Sequence, residues 1–210
     1  MRRPGVGPCR ASSWLDGVKR RVAILISGRG SNMAALITAA RDPAYPAVIE
    51  MVLSNQPGAG GLTVAHAAGI RTEIIDHRNF GGARGAHEAA IDATLRAAGI
   101  EIVCLAGYMR LLTPFLVTAW EGRMLNIHPS LLPAFPGLNT HARVLAAGVK
   151  LHGCSVHLVT HDMDAGPILA QAAVPVLAGD TDATLADRVL RQEHVIYPAA
   201  LAAFAAGLGV

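Results

Sequence analysis

Apolar runs of strand length recur along this chain, each followed by a turn and then by a segment long enough for a helix. RVAILIS, opening at Arg21, is continuously apolar; GRGSN follows, and MAALITAA then reads as helix. The pattern returns as VIEMVLSN with a helix near Gly60 to Ala68, as IRTEII with a helix near Arg84 to Ala98, and as IEIVCLAG. Continuous apolar runs mark strands buried on both faces. Four of them separated by helix-length segments predict βαβ units, right-handed crossovers and a mostly parallel sheet. The 210 residues are 52% apolar but only 4% aromatic, so the core is built from Ala, Val, Ile and Leu. No apolar run reaches the roughly 18 residues that would span a bilayer.

After Gly107 the texture changes. MRLLTPF leads into a short helix, GRMLNIHPS into a fifth strand, and LLPAFPGLNTH into a loop rich in Pro and Gly. HGCSVHLVT and PILAQAAVPV read as two further strands, close enough in sequence to form an antiparallel pair on one side of the sheet. A last helix begins near Thr181, with Asp180, Asp182 and Thr184 as capping candidates. Leu185, Val189 and Ile196 share one face of it, and Glu193 sits at the edge of that face. The expectation is one α/β domain over residues 21–210, with a mostly parallel seven-stranded sheet and an antiparallel edge strand. Residues 1–20 read as a disordered N-terminal extension.

The formal charge of +3 is misleading as a guide to partners. Residues 1–20 carry five of the cations against Asp16, a net +4, so the rest of the chain sums to −1. A basic tail without interleaved aromatics does not make a nucleic-acid-binding protein. Cys9, Cys104 and Cys154 are odd in number and include no CxxC pair, which argues against a disulfide framework or a zinc cluster and fits a reducing, cytoplasmic setting. His152, His157 and His161 do not converge on one strand face, so no metal site is expected from them. His157 is expected to pack behind the strand that carries the chemistry.

Two segments point to chemistry. Ser27-Gly28-Arg29-Gly30-Ser31-Asn32 follows a buried strand and opens a helix, an arrangement that aims free N–H groups and the positive helix end at a phosphate. It lacks the GK[ST] of a Walker loop and the third glycine of the dinucleotide fingerprint, so a phosphomonoester suits it best. Glycines at such a turn can also be purely steric. Asn126-Ile127-His128-Pro129 ends a strand where open α/β sheets place ligands. Asn126 and His128 share a strand face, and Pro129 leaves His128 at the rim. An amide that donates to an oxyanion beside an imidazole that holds or moves a proton suits acyl transfer. A carboxylate partner would come from Thr160-His161-Asp162-Met163-Asp164-Ala165-Gly166-Pro167, where Asp162 and Asp164 are equally candidates and equally readable as turn formers.

From about Arg21 to Ala205 the chain resembles the phosphoribosylglycinamide formyltransferases. ISGRGSN, VLSNQPGAGGLTVAHAAGI, LAGYMRLLTPF, GRMLNIHPSLLPAFPGLNTH, HGCSVHLVTHDMDAGPI and QEHVIYP carry the resemblance. It implies a Rossmann-like formyltransferase fold and transfer of a formyl group from 10-formyltetrahydrofolate to the amine of glycinamide ribonucleotide, in purine biosynthesis, without a metal ion. It implies a catalytic trio of Asn126, His128 and Asp164, with Asp164 matched because it precedes Ala-Gly-Pro. Gly30, Ser31 and Asn32 would hold the phosphate, and Glu193 would contact the ribonucleotide. Arg84, Met109, Arg110, Leu111 and Leu112 would contact the folate, together with Asn126 and the stretch Thr160, His161, Asp162, Met163 and Asp164. The implied partners are these two small molecules, with no nucleic acid and no membrane, and a homodimer is compatible with the family. Asn139, Ala165 and Leu190 stand where the family often has His, Gly and Gln.

Three other readings compete. A formyltetrahydrofolate deformylase usually adds an N-terminal regulatory domain and a methionyl-tRNA formyltransferase a C-terminal RNA-binding domain, for which 210 residues leave no room. A noncatalytic phosphosugar-binding module would need GRGSN alone, not Asn126, His128 and Asp164 together.

Overall fold

The structure is a computed structural model that describes residues 19–207; the first eighteen residues of the expected extension lie outside the described residues. In chain order the elements are β1 (Arg20–Ile26), α1 (Ser31–Ala39), β2 (Ala47–Ser54), α2 (Gly60–Ala67) and β3 (Arg71–Ile74). A 3-10 turn (His77–Phe80) follows, then α3 (Arg84–Ala97), β4 (Ile102–Leu105), α4 (Pro114–Ala119) and β5 (Met124–His128). The chain continues as α5 (Thr140–Ala147), β6 (Leu151–Leu158), β7 (Ile168–Pro175) and α6 (Asp182–Ala205). The predicted alternation is therefore present, with two additions, the 3-10 turn and α5. Both are short, and α5 buries only Thr140 and Val144, too few residues for a strong helical period.

The strands form one sheet in the order β3-β2-β1-β4-β5-β6-β7. The first five neighbours pair in parallel; β6 runs antiparallel to both β5 and β7. The expected antiparallel pairing thus sits at this edge, and β6, one place in from it, is the reversed strand. β1 and β4 are neighbours whose chains leave toward opposite sides, so the crevice at their carboxyl ends is the switch point where such sheets take ligands.

Side chains alternate along each strand between two cores. Val22, Ile24, Cys104, Leu125, Ile127, Cys154 and Val156 face α1, α2, α5 and α6, while Ala23, Leu25, Val103, Leu105 and Met124 face α3 and α4. The Tyr197 hydroxyl, fully buried on α6, lies 3.0 Å from the Leu105 carbonyl oxygen and 3.2 Å from that of Leu125, fastening the last helix to β4 and β5. Thr181, rather than Asp180 or Asp182, caps α6: its hydroxyl accepts from the Thr184 N–H at 3.3 Å, and the Thr184 hydroxyl accepts from the Thr181 N–H at 2.9 Å. Asp180 instead holds Arg188 through two contacts of 2.7 and 2.9 Å. Among the described residues no helix is long and apolar enough to cross a membrane.

Where β6 meets β7, a β-carbon at Gly153 would collide with the carbonyl oxygen of Ala172. The two backbones can close only on a residue without a side chain. Gly153→Ala should lower stability by about 2 kcal/mol or more, read as a lower urea midpoint by circular dichroism; an unchanged midpoint would show that the strand pair tolerates the carbon.

Candidate active site

Register brings the chemistry together. In the antiparallel pair Asn126 lies opposite His157 and His128 opposite Ser155, and Ser155 in turn lies opposite Gln171 on β7. These polar residues occupy the sheet face opposite Leu125, Ile127, Cys154 and Val156. The segment after β6 leaves with the Val159 N–H bonded to the Met124 carbonyl at 2.8 Å and then folds back toward His128. It delivers Asp164 Oδ2 to 3.4 Å from His128 Nδ1. Asp164 and Asn126 thus stand beside His128 and His157, whereas Asp162 is exposed, its backbone carbonyl accepting from the Thr160 hydroxyl at 3.1 Å. Of the two aspartates left open by the sequence, Asp164 is the one that stands beside His128.

Each group is held by a second interaction. The Gly137 N–H donates to Asp164 Oδ2 at 2.8 Å, and His128 Nε2 donates to the Phe135 carbonyl at 3.1 Å. Both ring nitrogens of His128 therefore face oxygen acceptors. Asp164 and Phe135 adopt left-handed backbone conformations, each with φ of 55°. Such conformations cost about 1–2 kcal/mol outside glycine and cluster at functional sites. Around them, Ser155 Oγ donates to the Ser130 carbonyl at 2.7 Å and accepts from the Leu132 N–H at 3.0 Å, while Gln171 Nε2 donates to the Leu132 carbonyl at 2.9 Å. The loop that carries Phe135 is thereby tied to the sheet.

His157 does not pack behind the strand as expected from sequence. Its Nδ1 donates to the Leu158 carbonyl at 2.9 Å, which leaves Nε2 as the acceptor for the Asn126 amide at 3.2 Å. Burial holds its pKa below the ordinary value, against the opposing pull of the Leu158 carbonyl and the Asp164 carboxylate. A neutral His157 orients the Asn126 amide and keeps the second amide hydrogen free. The signal was present in CSVHL, where Ser155 and His157 alternate with Cys154 and Val156 and so share a face with Asn126 and His128.

The second cluster lies at the carboxyl end of β1. Gly30 has φ of 71°, and a β-carbon there would sit 3.1 Å from Gly61 Cα, so the turn needs glycine at this position. The Gly61 N–H at the start of α2 bonds the Gly28 carbonyl at 3.0 Å. Ser31 is exposed at the first turn of α1, whose N–H groups have no intrahelical acceptor. Asn32 is buried: its Nδ2 donates to Glu193 Oε2 at 2.6 Å, and its Oδ1 has no partner among the described residues. Burial pushes the Glu193 carboxyl up, the Asn32 hydrogen bond opposing. Two residues assigned separately from sequence thus form one buried pair that joins α1 to α6.

The third group is spread over two loops. Met109 is 65% and Leu111 63% exposed in the segment after β4, and Met163 is 58% exposed beside Asp164. Among the described residues no element covers these apolar side chains. A hydrogen bond of 3.3 Å between Thr118 on α4 and His161 ties the loop after β6 to that helix. Arg84, the first residue of α3, is exposed.

Residues 20–201 match the family described as formyl transferase. The chain belongs to the formyl transferase family. It is 43% identical over 186 residues to a phosphoribosylglycinamide formyltransferase of Escherichia coli (strain K12), covering 89% of this chain and 87% of that protein. It is 51% identical over 189 residues to the trifunctional purine biosynthetic protein adenosine-3 of Homo sapiens, covering 90% of this chain but only 19% of the length of that relative. Among solved structures, a phosphoribosylglycinamide formyltransferase from Brucella melitensis superposes with a TM-score of 0.86 at 59% identity, over 90% of this chain and 97% of that one. The resemblance read from the motifs is borne out, as is the formyltransferase fold.

Relative to the family pattern, Asn139 stands at the cap of α5 with φ of 54°, a left-handed position that asparagine enters more readily than most residues. His141 in α5 and His152 in β6 meet at 3.0 Å between Nδ1 and Nε2. Burial lowers the pKa of both, His152 to about 4 from an ordinary 6.5. It also lowers those of His87, His157 and His194.

A histidine held neutral by burial binds fewer protons folded than unfolded, so stability is lost as pH falls below the unfolded value. Five histidines act in that sense and Glu193, raised by burial, in the other. The melting temperature should therefore fall steadily between pH 6.5 and about pH 4, followed by circular dichroism. A flat profile over that range would contradict the neutral assignment.

Proposed function

We propose that this chain transfers the formyl group of 10-formyltetrahydrofolate to the primary amine of glycinamide ribonucleotide, a step of purine biosynthesis. The observation that carries the reading is the convergence of Asn126, His128 and Asp164, with 3.4 Å between the His128 ring and the Asp164 carboxylate, in a sheet whose switch point carries the glycine turn. The names of the relatives above agree with it.

In this reading the N–H groups of Gly30, Ser31 and Asn32 take the ribonucleotide phosphate at the N-terminal end of α1. The unpartnered Asn32 Oδ1 and the Glu193 carboxylate beside it face the remaining polar groups of that substrate. Met109, Leu111 and Leu112, with Thr160 to Asp164, offer the apolar and main-chain surface on which a flat folate ring fits, and Arg84 and Arg110 complement its acidic end. When bound, the folate supplies an electrophilic formyl carbon to the amine. Negative charge that gathers on the formyl oxygen is met by the free Asn126 amide hydrogen and by His128. Asp164 orients the His128 ring, which can pass a proton toward the leaving nitrogen. No step in this scheme runs through a metal ion. The reading also has the enzyme working in the cytoplasm.

Removing one donor to a developing oxyanion typically lowers turnover by about 100- to 1,000-fold. Asn126→Ala, His128→Ala and Asp164→Asn should each do so with an unchanged circular dichroism spectrum. The assay follows folate product spectrophotometrically with and without glycinamide ribonucleotide. Product only in its presence supports transfer; equal product without it would mean hydrolysis, and near-normal rates in all three variants would remove the assignment.

A further inference from the structure

The two substrate loops meet at a single buried side chain. Ser27 ends the apolar run of β1, directly before the glycine turn, and is 7% exposed. Its N–H donates to the Gly107 carbonyl at 3.1 Å. Its Oγ accepts from the Met109 N–H at 2.8 Å and donates to Asn55 Oδ1 at 2.6 Å. Asn55 is itself buried and anchored, its carbonyl accepting from His77 Nδ1 at 2.9 Å. The hydroxyl has one proton, committed to Asn55, so its lone pair is aimed at Met109.

The other end of the segment after β4 is fixed elsewhere. Glu88 on α3, 3% exposed, accepts from the Thr113 N–H at 2.8 Å and from the Thr113 hydroxyl. Residues 109–112 thus form an arch between two buried anchors, exposed at Met109 and Leu111 and half-buried at Arg110 and Leu112. Only the Ser27 anchor is contiguous with the phosphate turn, and it bridges the β1 and β4 ends at the switch point. A turn that tightens on a phosphate must move or stiffen Gly28, and Ser27 passes that restraint to the Met109 backbone.

We infer that Ser27 is a positioning residue that couples the phosphate turn to the β4–α4 arch, so that ribonucleotide binding orders the surface that receives the folate. The inference rests on the functional reading above, which assigns the turn to the ribonucleotide and the arch to the folate. A purely structural serine would affect stability and leave no link between the two ligands.

Hydrogen exchange at the Met109 amide, followed by mass spectrometry or NMR, tests this on the wild-type protein with and without glycinamide ribonucleotide. Exchange should slow on adding the ribonucleotide in wild type. In Ser27→Ala it should be fast and unaffected. Loss of a buried hydrogen-bond partner should raise KM for 10-formyltetrahydrofolate by about tenfold with kcat within about twofold. Asn55→Ala, which frees the hydroxyl proton, should shift KM in the same direction by less. Met109 exchange that ignores the ribonucleotide in wild type overturns the inference, as does a Ser27→Ala protein with lowered melting temperature but unchanged folate KM. If wild type transfers no formyl group while the ribonucleotide still slows Met109 exchange, the functional reading fails and the coupling stands.

Discussion

The register of β5 against β6 is the constraint from which the site is built. Because side chains alternate with a period of two, the pairing that sets Asn126 opposite His157 and His128 opposite Ser155 sends Leu125, Ile127, Cys154 and Val156 into the core beneath α1 and α6. A slip of one residue on either strand would bury the polar set and expose the apolar one. Burial of the apolar set thus fixes the polar geometry. Ser155 and Gln171 extend the same row to β7 and hold the loop whose Phe135 carbonyl receives His128.

The reversal at β6 has a chemical consequence. A parallel strand in that position would need a long crossover before returning, whereas an antiparallel one lets the following loop fold back over the β5 face. That fold-back carries Asp164 to His128, with the left-handed conformation at Asp164 completing the turn. The five parallel neighbours serve the other half of the site: their carboxyl ends and the divergence between β1 and β4 open the crevice flanked by the glycine turn and the β4–α4 arch. One sheet therefore supplies two kinds of edge, one for binding and one for proton and charge handling.

Much of this architecture is legible in the sequence. The strand-turn-helix alternation follows from local hydrophobic pattern, and four parallel units with two late strands were anticipated at nearly their observed bounds. The GRGSN turn and the shared face of Asn126 and His128 follow from loop chemistry and strand geometry alone. The choice of Asp164 over Asp162 did not follow from residue type, since both are turn-forming acids three and one residues from Ala165; it came from family resemblance and then from the loop's path. His157 was misplaced because periodicity assigns residues to faces but does not say which face a helix will cover. The 3-10 turn and α5 went unread because short elements are held by tertiary packing and caps more than by their own propensity.

By itself, the sequence determined the layered α/β architecture, the low-aromatic core and the sites of its two chemical loops, because these depend on interactions between near neighbours and on which residues avoid water. Tertiary structure alone decided which distant groups would meet: Asn32 with Glu193, Asn126 with His157, Ser27 with Met109, and His128 with Asp164. Each of those contacts joins residues far apart in the chain, and its geometry is set by sheet order and register. Those are properties of the whole packed sheet, so no local stretch of sequence encodes them.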